Sequence, residues 1–194
     1  MRNNHKNAML ALLLGALVVM AVGYAAFSTA LQINGTASID SSWNVQFDTT
    51  KTSGTGVIKT TMGTGGSTAP SGGTIAYPNV TTANLTATLK QPGDSVEYTL
   101  TVKNTGSLAA TLSGLSMTSS NGSCTGSGSS TVCTSSGSHI RFTIGNFSST
   151  SLAASSGTAT IKVTATFVDA AVTSLTSGET ITVQVTFNAT QASS

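Results

Sequence analysis

The chain has 194 residues, of which 7% are charged and 5% are aromatic, and about a third are Ser or Thr. This composition is typical of a surface-exposed β protein that has few ionisable groups for catalysis. From Ala26 onward six Lys or Arg residues balance six Asp or Glu residues, so the formal charge of +2 comes from the N-terminus. The basic residues are dispersed along the chain, which excludes a phosphate-binding surface, and we expect no nucleic-acid partner.

The first element is an uncharged apolar segment of 20 residues, 8–27, that follows a short basic start. This layout is typical of a secretory signal, which we assign to residues 1–25. Small residues near its end predict cleavage between Ala25 and Ala26, with Ala30/Leu31 as a second site. Because 20 apolar residues also suffice to span a bilayer, an uncleaved membrane anchor is the alternative.

The second element, residues 26–39, begins at the predicted cut. Its odd-numbered positions are mostly apolar and its even-numbered positions mostly polar, which predicts a strand with one buried face. The apolar members are Phe27, Leu31, Ile33, Ala37 and Ile39. Because a terminal strand frays unless something holds it, this strand either folds back onto its own domain or fills a groove in a neighbour.

Residues 40–194 suit one domain, and several of its segments alternate strictly between apolar and polar residues. The side chains expected to face inward are Trp43, Val45, Phe47, Leu85, Ala87, Leu89, Val96, Tyr98, Leu100, Val102, Leu108, Ala110, Leu112, Ile140, Phe142, Ile144, Ala159, Ile161, Val163, Ala165, Phe167, Ile181, Val183, Val185, Phe187 and Ala189. About eight short strands without an amphipathic helix predict an all-β, two-sheet antiparallel β-sandwich of the jelly-roll or immunoglobulin-like kind. The pattern does not fix the order of the strands.

Two segments show little pattern. Residues 49–74 are too long for an ordinary loop, and we expect Val57, Ile58 and Met62 to tuck in as a short hairpin. The other segment, rich in Ser and Gly, contains the only two cysteines, Cys124 and Cys133. In an exported protein these predict a structural disulfide that contributes about 2 to 3 kcal/mol. Two thiolates without nearby histidines do not complete a zinc site, and this spacing is not a redox motif.

Few side chains are candidates for catalysis or ligand binding, and we expect no catalytic, cofactor-binding or metal-binding residues. His139 is the one histidine after the predicted cut, and it opens a strand, where a surface position is the simpler interpretation. No G-x-S-x-G or H-E-x-x-H motif accompanies it. Asp94 and Glu97 could form a carboxylate pair, but a solvated strand edge is favoured. Trp43 is interpreted as a core or sheet-edge aromatic residue rather than a sugar platform.

Of the eight asparagines beyond Ala26, six begin an N-x-S/T triplet. They are Asn34, Asn79, Asn84, Asn121, Asn146 and Asn188. In an exported protein such triplets are candidate N-glycosylation sites. The alternative is that they follow from the high Ser and Thr content alone.

The sequence GYAAFS at residues 23–28, which closes the apolar segment, resembles the signal ending of the TasA/camelysin (CalY) family of secreted biofilm-matrix fibre proteins. The likeness extends in outline to LKQPGD at residues 89–94, KNTGSL at 103–108 and FNATQ at 187–191. Archaeal bundling pilins share the architecture, and the chain is equally similar to them. In the TasA/camelysin family a SipW-type signal peptidase cuts so that the mature chain begins at the position of Ala26.

The resemblance implies a secreted jelly-roll subunit that polymerises by donor-strand complementation, in which the mature N-terminus of one copy fills a gap in the next. The implied partners are further copies of the chain, the signal peptidase and matrix components, and the implied location is an extracellular filament or the cell surface. Camelysin-like members have been called metallopeptidases, but this sequence lacks a zinc ligand set. A membrane-anchored monomeric adhesin or glycan-binding module is the alternative function, and a hydrolase is the third.

Overall fold

The computed structural model describes residues 3–27, 42–54, 56–63, 72–171, 175 and 178–192. The chain divides into two compact units, residues 1–39 and 40–194. The first unit contains one helix, and all the described strands belong to the second.

Helix α1 spans Asn3–Phe27. It is rich in Leu, Ala and Met, which are among the strongest helix formers. Its side chains are exposed from His5 to Met20, and the large apolar ones include Leu12, which is 77% exposed. A search of the described residues found no helix with both the length and the apolarity that crossing a membrane requires.

The predicted cleavage site lies within this helix, because Ala25, Ala26 and Phe27 form its C-terminal end. Residues 28–41 fall outside the described ranges. The other predicted donor-strand residues, Leu31, Ile33, Ala37 and Ile39, therefore lie outside the description of the structure, as do the second candidate cut and Asn34.

Twelve strands lie in the described part of the second unit. They are β1 (Val45–Phe47), β2 (Ile58–Thr61), β3 (Gly72–Asn79), β4 (Thr82–Leu89), β5 (Ser95–Asn104), β6 (Ala110–Ser119), β7 (Gly122–Thr125), β8 (Val132–Ser135), β9 (Ile140–Phe147), β10 (Ser151–Leu152), β11 (Thr158–Phe167) and β12 (Glu179–Gln191). A short 3₁₀ turn, Gly128–Ser130, connects β7 to β8.

The strands form two antiparallel sheets. The larger sheet has the order β1-β5-β11-β9-β8-β7. Strand β1 pairs with the C-terminal end of β5, and β2 pairs with its N-terminal end, residues 95–98. The smaller sheet has the order β10-β6-β12-β4-β3. The two sheets pack face to face around a single cluster of buried apolar side chains. The predicted all-β, two-sheet antiparallel sandwich is confirmed.

The predicted inward-facing residues make up most of this core. In β5 the four residues Val96, Tyr98, Leu100 and Val102 are all fully buried, and the residues between them are not. The predicted sets in β4, β9 and β11 are buried as well. In β12 the first four are buried, and Ala189 is half-buried against the core. Strict alternation along a strand thus identified the buried face correctly in the long strands.

Trp43 was predicted to face inward, but its side chain is 47% exposed and is not part of the core. Strand β1 begins at Val45, whose partner Asn104 is the last residue of β5. The backbone around Trp43 is bonded to the β5–β6 corner, since Ser107 N donates to Ser42 O over 2.8 Å. Trp43 therefore lies just before the paired residues of β1, so the inward-facing assignment is wrong and the sheet-edge interpretation fits. Leu108 likewise precedes β6 and is only half-buried.

The segment at residues 49–74 also differs from expectation. Residues Ile58–Thr61 form a single strand paired with β5, so the predicted hairpin is wrong. Val57 and Ile58 are half-buried against the core, whereas Met62 is 47% exposed because it follows the last paired residue. The end of the segment belongs to β3, a strand that the sequence did not predict.

Candidate functional site

The first candidate site is a cluster around His139 at the start of β9. Its Nδ1 atom lies 2.8 Å from Glu179 Oε2, its Nε2 atom lies 3.5 Å from Asp169 Oδ2, and its ring stacks on Phe167. Glu179 Oε1 also accepts a hydrogen bond from Gly137 N over 2.8 Å. The cluster joins the β8–β9 turn to the first residue of β12.

The charge state of this cluster follows from its contacts. Burial alone raises the pKa of Glu179, but the hydrogen bonds from Gly137 N–H and His139 outweigh it and hold that pKa below its usual value. The carboxylate is therefore ionised and satisfied, as a structural contact requires. Within the described residues no group of three or more His, Cys, Asp and Glu side chains is arranged to hold a metal ion.

Asp94 is a second buried polar centre, and the prediction of a solvated edge was wrong for it. Its side chain is fully buried. Oδ1 accepts from Gly63 N over 3.0 Å, and Oδ2 accepts from Lys90 N over 3.2 Å and Gln91 N over 3.3 Å. The carboxylate thereby ties the end of β2 to the β4–β5 loop. Glu97 does not approach it as a pair and forms an ion pair with Lys162 at 3.0 Å instead.

The predicted disulfide is present between Cys124 and Cys133. The two cysteines are direct partners in the antiparallel pair β7–β8, so the bond closes a hairpin across its own register. Cys133 is fully buried and Cys124 is half-buried against the core. No free cysteine occurs in the described part of the chain.

The five described sequon asparagines have different surroundings. Asn146 on β9 and Asn188 on β12 are exposed. Asn79 is exposed at the β3–β4 hairpin, where its Oδ1 accepts from Thr81 N over 2.9 Å. Asn84 is half-buried within β4 and accepts from Gln184 Nε2 over 3.3 Å.

Asn121 differs from the other sequon asparagines because both polar atoms of its side chain bind the backbone of β12. Nδ2 donates to Thr180 O over 3.0 Å, and Oδ1 accepts from Thr182 N over 2.9 Å. The side-chain amide of Asn121 thus bonds to β12 as a further residue of β6 would, at the point where the chain turns towards β7. No local sequence pattern indicates this role, because the contacting strand lies about 60 residues away.

The two outer faces of the sandwich differ in charge. On the larger sheet Glu97, Lys59, Lys103, Lys162 and Arg141 all lie on strands, and Lys103 forms an ion pair with Asp48 at 3.1 Å. The outward-facing residues of β3, β4, β6 and β12 are Thr, Ser, Asn, Gln, Ala, Gly and Pro, all uncharged. Glu179 is the one charged residue in these described strands, and it lies on the same side of β12 as the buried Ile181. Cross-strand hydroxyl pairs link the outer face, such as Thr86 with Thr182 at 2.9 Å.

One lateral side of the sandwich, formed by β6 and β7, is closed. Strand β10 pairs with the start of β6, at Ala110 and Thr111. Further along, the β7–β8 hairpin and the 3₁₀ turn contact β6, and Cys133 Sγ lies 4.0 Å from Met117 O. We call this the closed side.

The opposite lateral side, formed by β1, β2 and β3, is different, and we call it the open side. Strand β3 has eight residues and is the last strand of the smaller sheet, and β4 is its one sheet partner within the described ranges. The larger sheet ends here in β1 and β2, which have three and four residues. The half-buried Tyr77 lies on β3, and burial together with the nearby Asp48 raises its pKa to about 12.

Comparison with known proteins found no matching family model, no matching curated protein and no matching solved structure.

Proposed function

We propose that this chain is a secreted, non-enzymatic structural subunit that polymerises into an extracellular or cell-surface filament by donating its N-terminal strand, residues 26–39, to a neighbouring copy. The resemblance to the TasA/camelysin family belongs to the same proposal. Cleavage between Ala25 and Ala26 frees the strand, and each joint leaves a free strand at one end and a free acceptor at the other. Such head-to-tail contacts propagate as a filament.

The observation that carries the proposal is the combination of an alternating N-terminal segment with an open sheet edge. Residues 27–39 have one apolar face and carry no charge. The open side ends in the eight-residue edge strand β3. Burial of Phe27, Leu31 and Ile33 stabilises each joint by about 5 to 9 kcal/mol before ordering costs.

Electron microscopy of the secreted protein combined with N-terminal sequencing tests this proposal. We expect filaments whose subunits begin at or near Ala26. Monodisperse particles that retain residues 1–25 would contradict it and would favour the membrane-anchored binding module.

A matched pair of variants tests the donor strand itself. We expect Leu31→Asp with Ile33→Asp to abolish filaments, because burying two unpaired carboxylates costs several kcal/mol each. Ser28→Asp with Gln32→Asp adds the same charge on the polar face of the strand and should leave filaments intact. Thermal unfolding of both variants checks that the sandwich is unchanged. Filaments that persist in the first variant would show that the strand is not the connector.

A further inference from the structure

We infer that the acceptor of the donated strand is the edge of β3 that pairs with no other described strand, on the open side of the sandwich. This inference rests on the proposed function and specifies which surface of the neighbouring copy receives residues 27–39. Four edges of the two sheets are available for comparison, and their backbone hydrogen bonds distinguish them.

Three of the four edges are short or covered. On the open side the larger sheet ends in β1 and β2, which have only three and four residues, and Phe47 N, which points away from β5, already donates to Val80 O over 2.7 Å. The β7 edge has four residues and belongs to the disulfide hairpin. The β6 edge pairs with β10 at its start, where Leu112 N also donates to Thr150 O, and further along it contacts the β7–β8 hairpin and the 3₁₀ turn.

The direction of the backbone groups on β3 follows from the register of its neighbours. Thr180 and Thr182 bind Asn121, so their backbone groups point away from β4. The alternate residues Ile181 and Val183 therefore point towards β4 and bond to Ala87 and Leu85.

The next residues of β4 consequently point the other way. Thr86 and Thr88 direct their backbone groups towards their β3 partners, Thr74 and Gly72. The backbone groups of Gly73 and Ile75 then point outward, away from β4. These are the groups that an added strand would bond.

The side chains at this edge also fit the donor. Residues opposite each other in a sheet share a face, so donor residues that bond Gly73 and Ile75 direct their side chains inward beside Ile75, which is 7% exposed. The half-buried apolar residues Val57, Ile58 and Tyr77 lie on this side, where β2 contacts β3. The apolar positions Leu31 and Ile33 of the donor would complete their burial.

The outer face of the added strand fits as well. The polar donor positions, such as Gln32, would lie beside Thr74 and Ala76, which are exposed. Neither β3 nor residues 27–39 carry a charge, so pairing buries no unpaired charge. Edge strands that avoid pairing usually carry lysine or another charge, and β3 lacks this protection. Pro78 limits the edge at its far end, because proline has no N–H to donate.

Cysteine cross-linking in the assembled full chain tests the inference. Donor subunits carry Gln32→Cys and an isotope label, and unlabelled acceptor subunits carry Ala76→Cys on β3. The control acceptor carries Thr118→Cys, an exposed position on the outer face of β6. A short bismaleimide links the thiols, and mass spectrometry identifies the joined peptides.

We expect at least about tenfold more product with Ala76→Cys than with Thr118→Cys, in species that combine a labelled and an unlabelled chain, because pairing raises the effective thiol concentration. Filaments that cross-link preferentially at Thr118→Cys would overturn the β3 assignment and leave donor-strand polymerisation standing. Links confined to single chains would overturn the inference by showing that the strand folds back. The absence of polymers would instead contradict the proposed function.

Discussion

The two lateral sides of the sandwich differ in how far their edge strands are covered by other parts of the chain. On the closed side a disulfide hairpin and a 3₁₀ turn contact β6, so its edge is covered by the chain itself. On the open side β3 ends the smaller sheet, and half-buried residues such as Ile58 and Tyr77 remain partly exposed. A protein that only needed solubility would protect both edges, since an open edge invites pairing with another chain. This asymmetry is the reason why β3 is proposed as the edge used for assembly.

The largest effect is expected from the buried carboxylate of Asp94, which bonds the end of β2 on the open side to the β4–β5 loop. Asp94→Ala should lower the free energy of unfolding by about 3 to 4 kcal/mol, because Gly63, Lys90 and Gln91 each lose the acceptor of a backbone N–H. Asp94→Asn keeps one carbonyl acceptor and should lose less. Chemical denaturation measures both.

The control is Glu97→Gln, which removes the other carboxylate of this strand region. Its ion pair with Lys162 is partly exposed, with side-chain exposures of 34% for Glu97 and 64% for Lys162. We expect a change within about 0.5 kcal/mol. If Asp94→Ala and Glu97→Gln lower the free energy of unfolding equally, the buried carboxylate does not anchor the end of β2.

A slightly smaller effect is expected on the closed side. Replacing both Cys124 and Cys133 by Ser should lower the free energy of unfolding by about 2 to 3 kcal/mol. This is the entropy that the unfolded chain loses when a disulfide closes a loop of about ten residues. Because the hairpin covers β6, hydrogen exchange should also increase in β6 more than in β3. Unchanged exchange in β6 would show that the hairpin does not protect that edge.

The smallest effect concerns the dependence of stability on pH. The pKa of Glu179 is lowered in the folded protein, since its hydrogen bonds outweigh the effect of burial. Its contribution to stability is therefore fully present above the pKa of the unfolded chain and is lost as pH falls through the folded pKa. In Glu179→Gln the difference in unfolding free energy from the native protein should shrink between pH 7 and pH 3. A difference that stays constant over this range would contradict the assignment.

Local patterns were sufficient for the long strands. In β5 a ten-residue alternation identifies both faces, and the structure buries each of the predicted residues. The same pattern was too weak for β3, where Ile75 is the one fully apolar core position among glycine, threonine and proline. The pattern consequently predicts no strand at this edge. Strands β7, β8 and β10 were missed for the same reason, since they are short and rich in Ser and Thr.

The buried polar groups could not be predicted, because tertiary contacts decide them. Asp94 accepts from Gly63, 31 residues earlier, and His139 meets Glu179, 40 residues later. A single sequence has no local signal for such partners. By contrast, the disulfide followed directly from the number of cysteines and the expected oxidising compartment.

If the protein is exported and glycosylated, the side chain of Asn121 has a consequence for the order of folding and modification. A glycan on Nδ2 would replace one of the two amide hydrogens and place a bulky group where Thr180 O now accepts its bond. Glycosylation at this position and closure of β12 over the end of β6 therefore compete. Since β12 is the last of the described strands, Asn121 would accept a glycan before β12 has paired, and the fraction of glycosylated Asn121 would measure how late that strand folds.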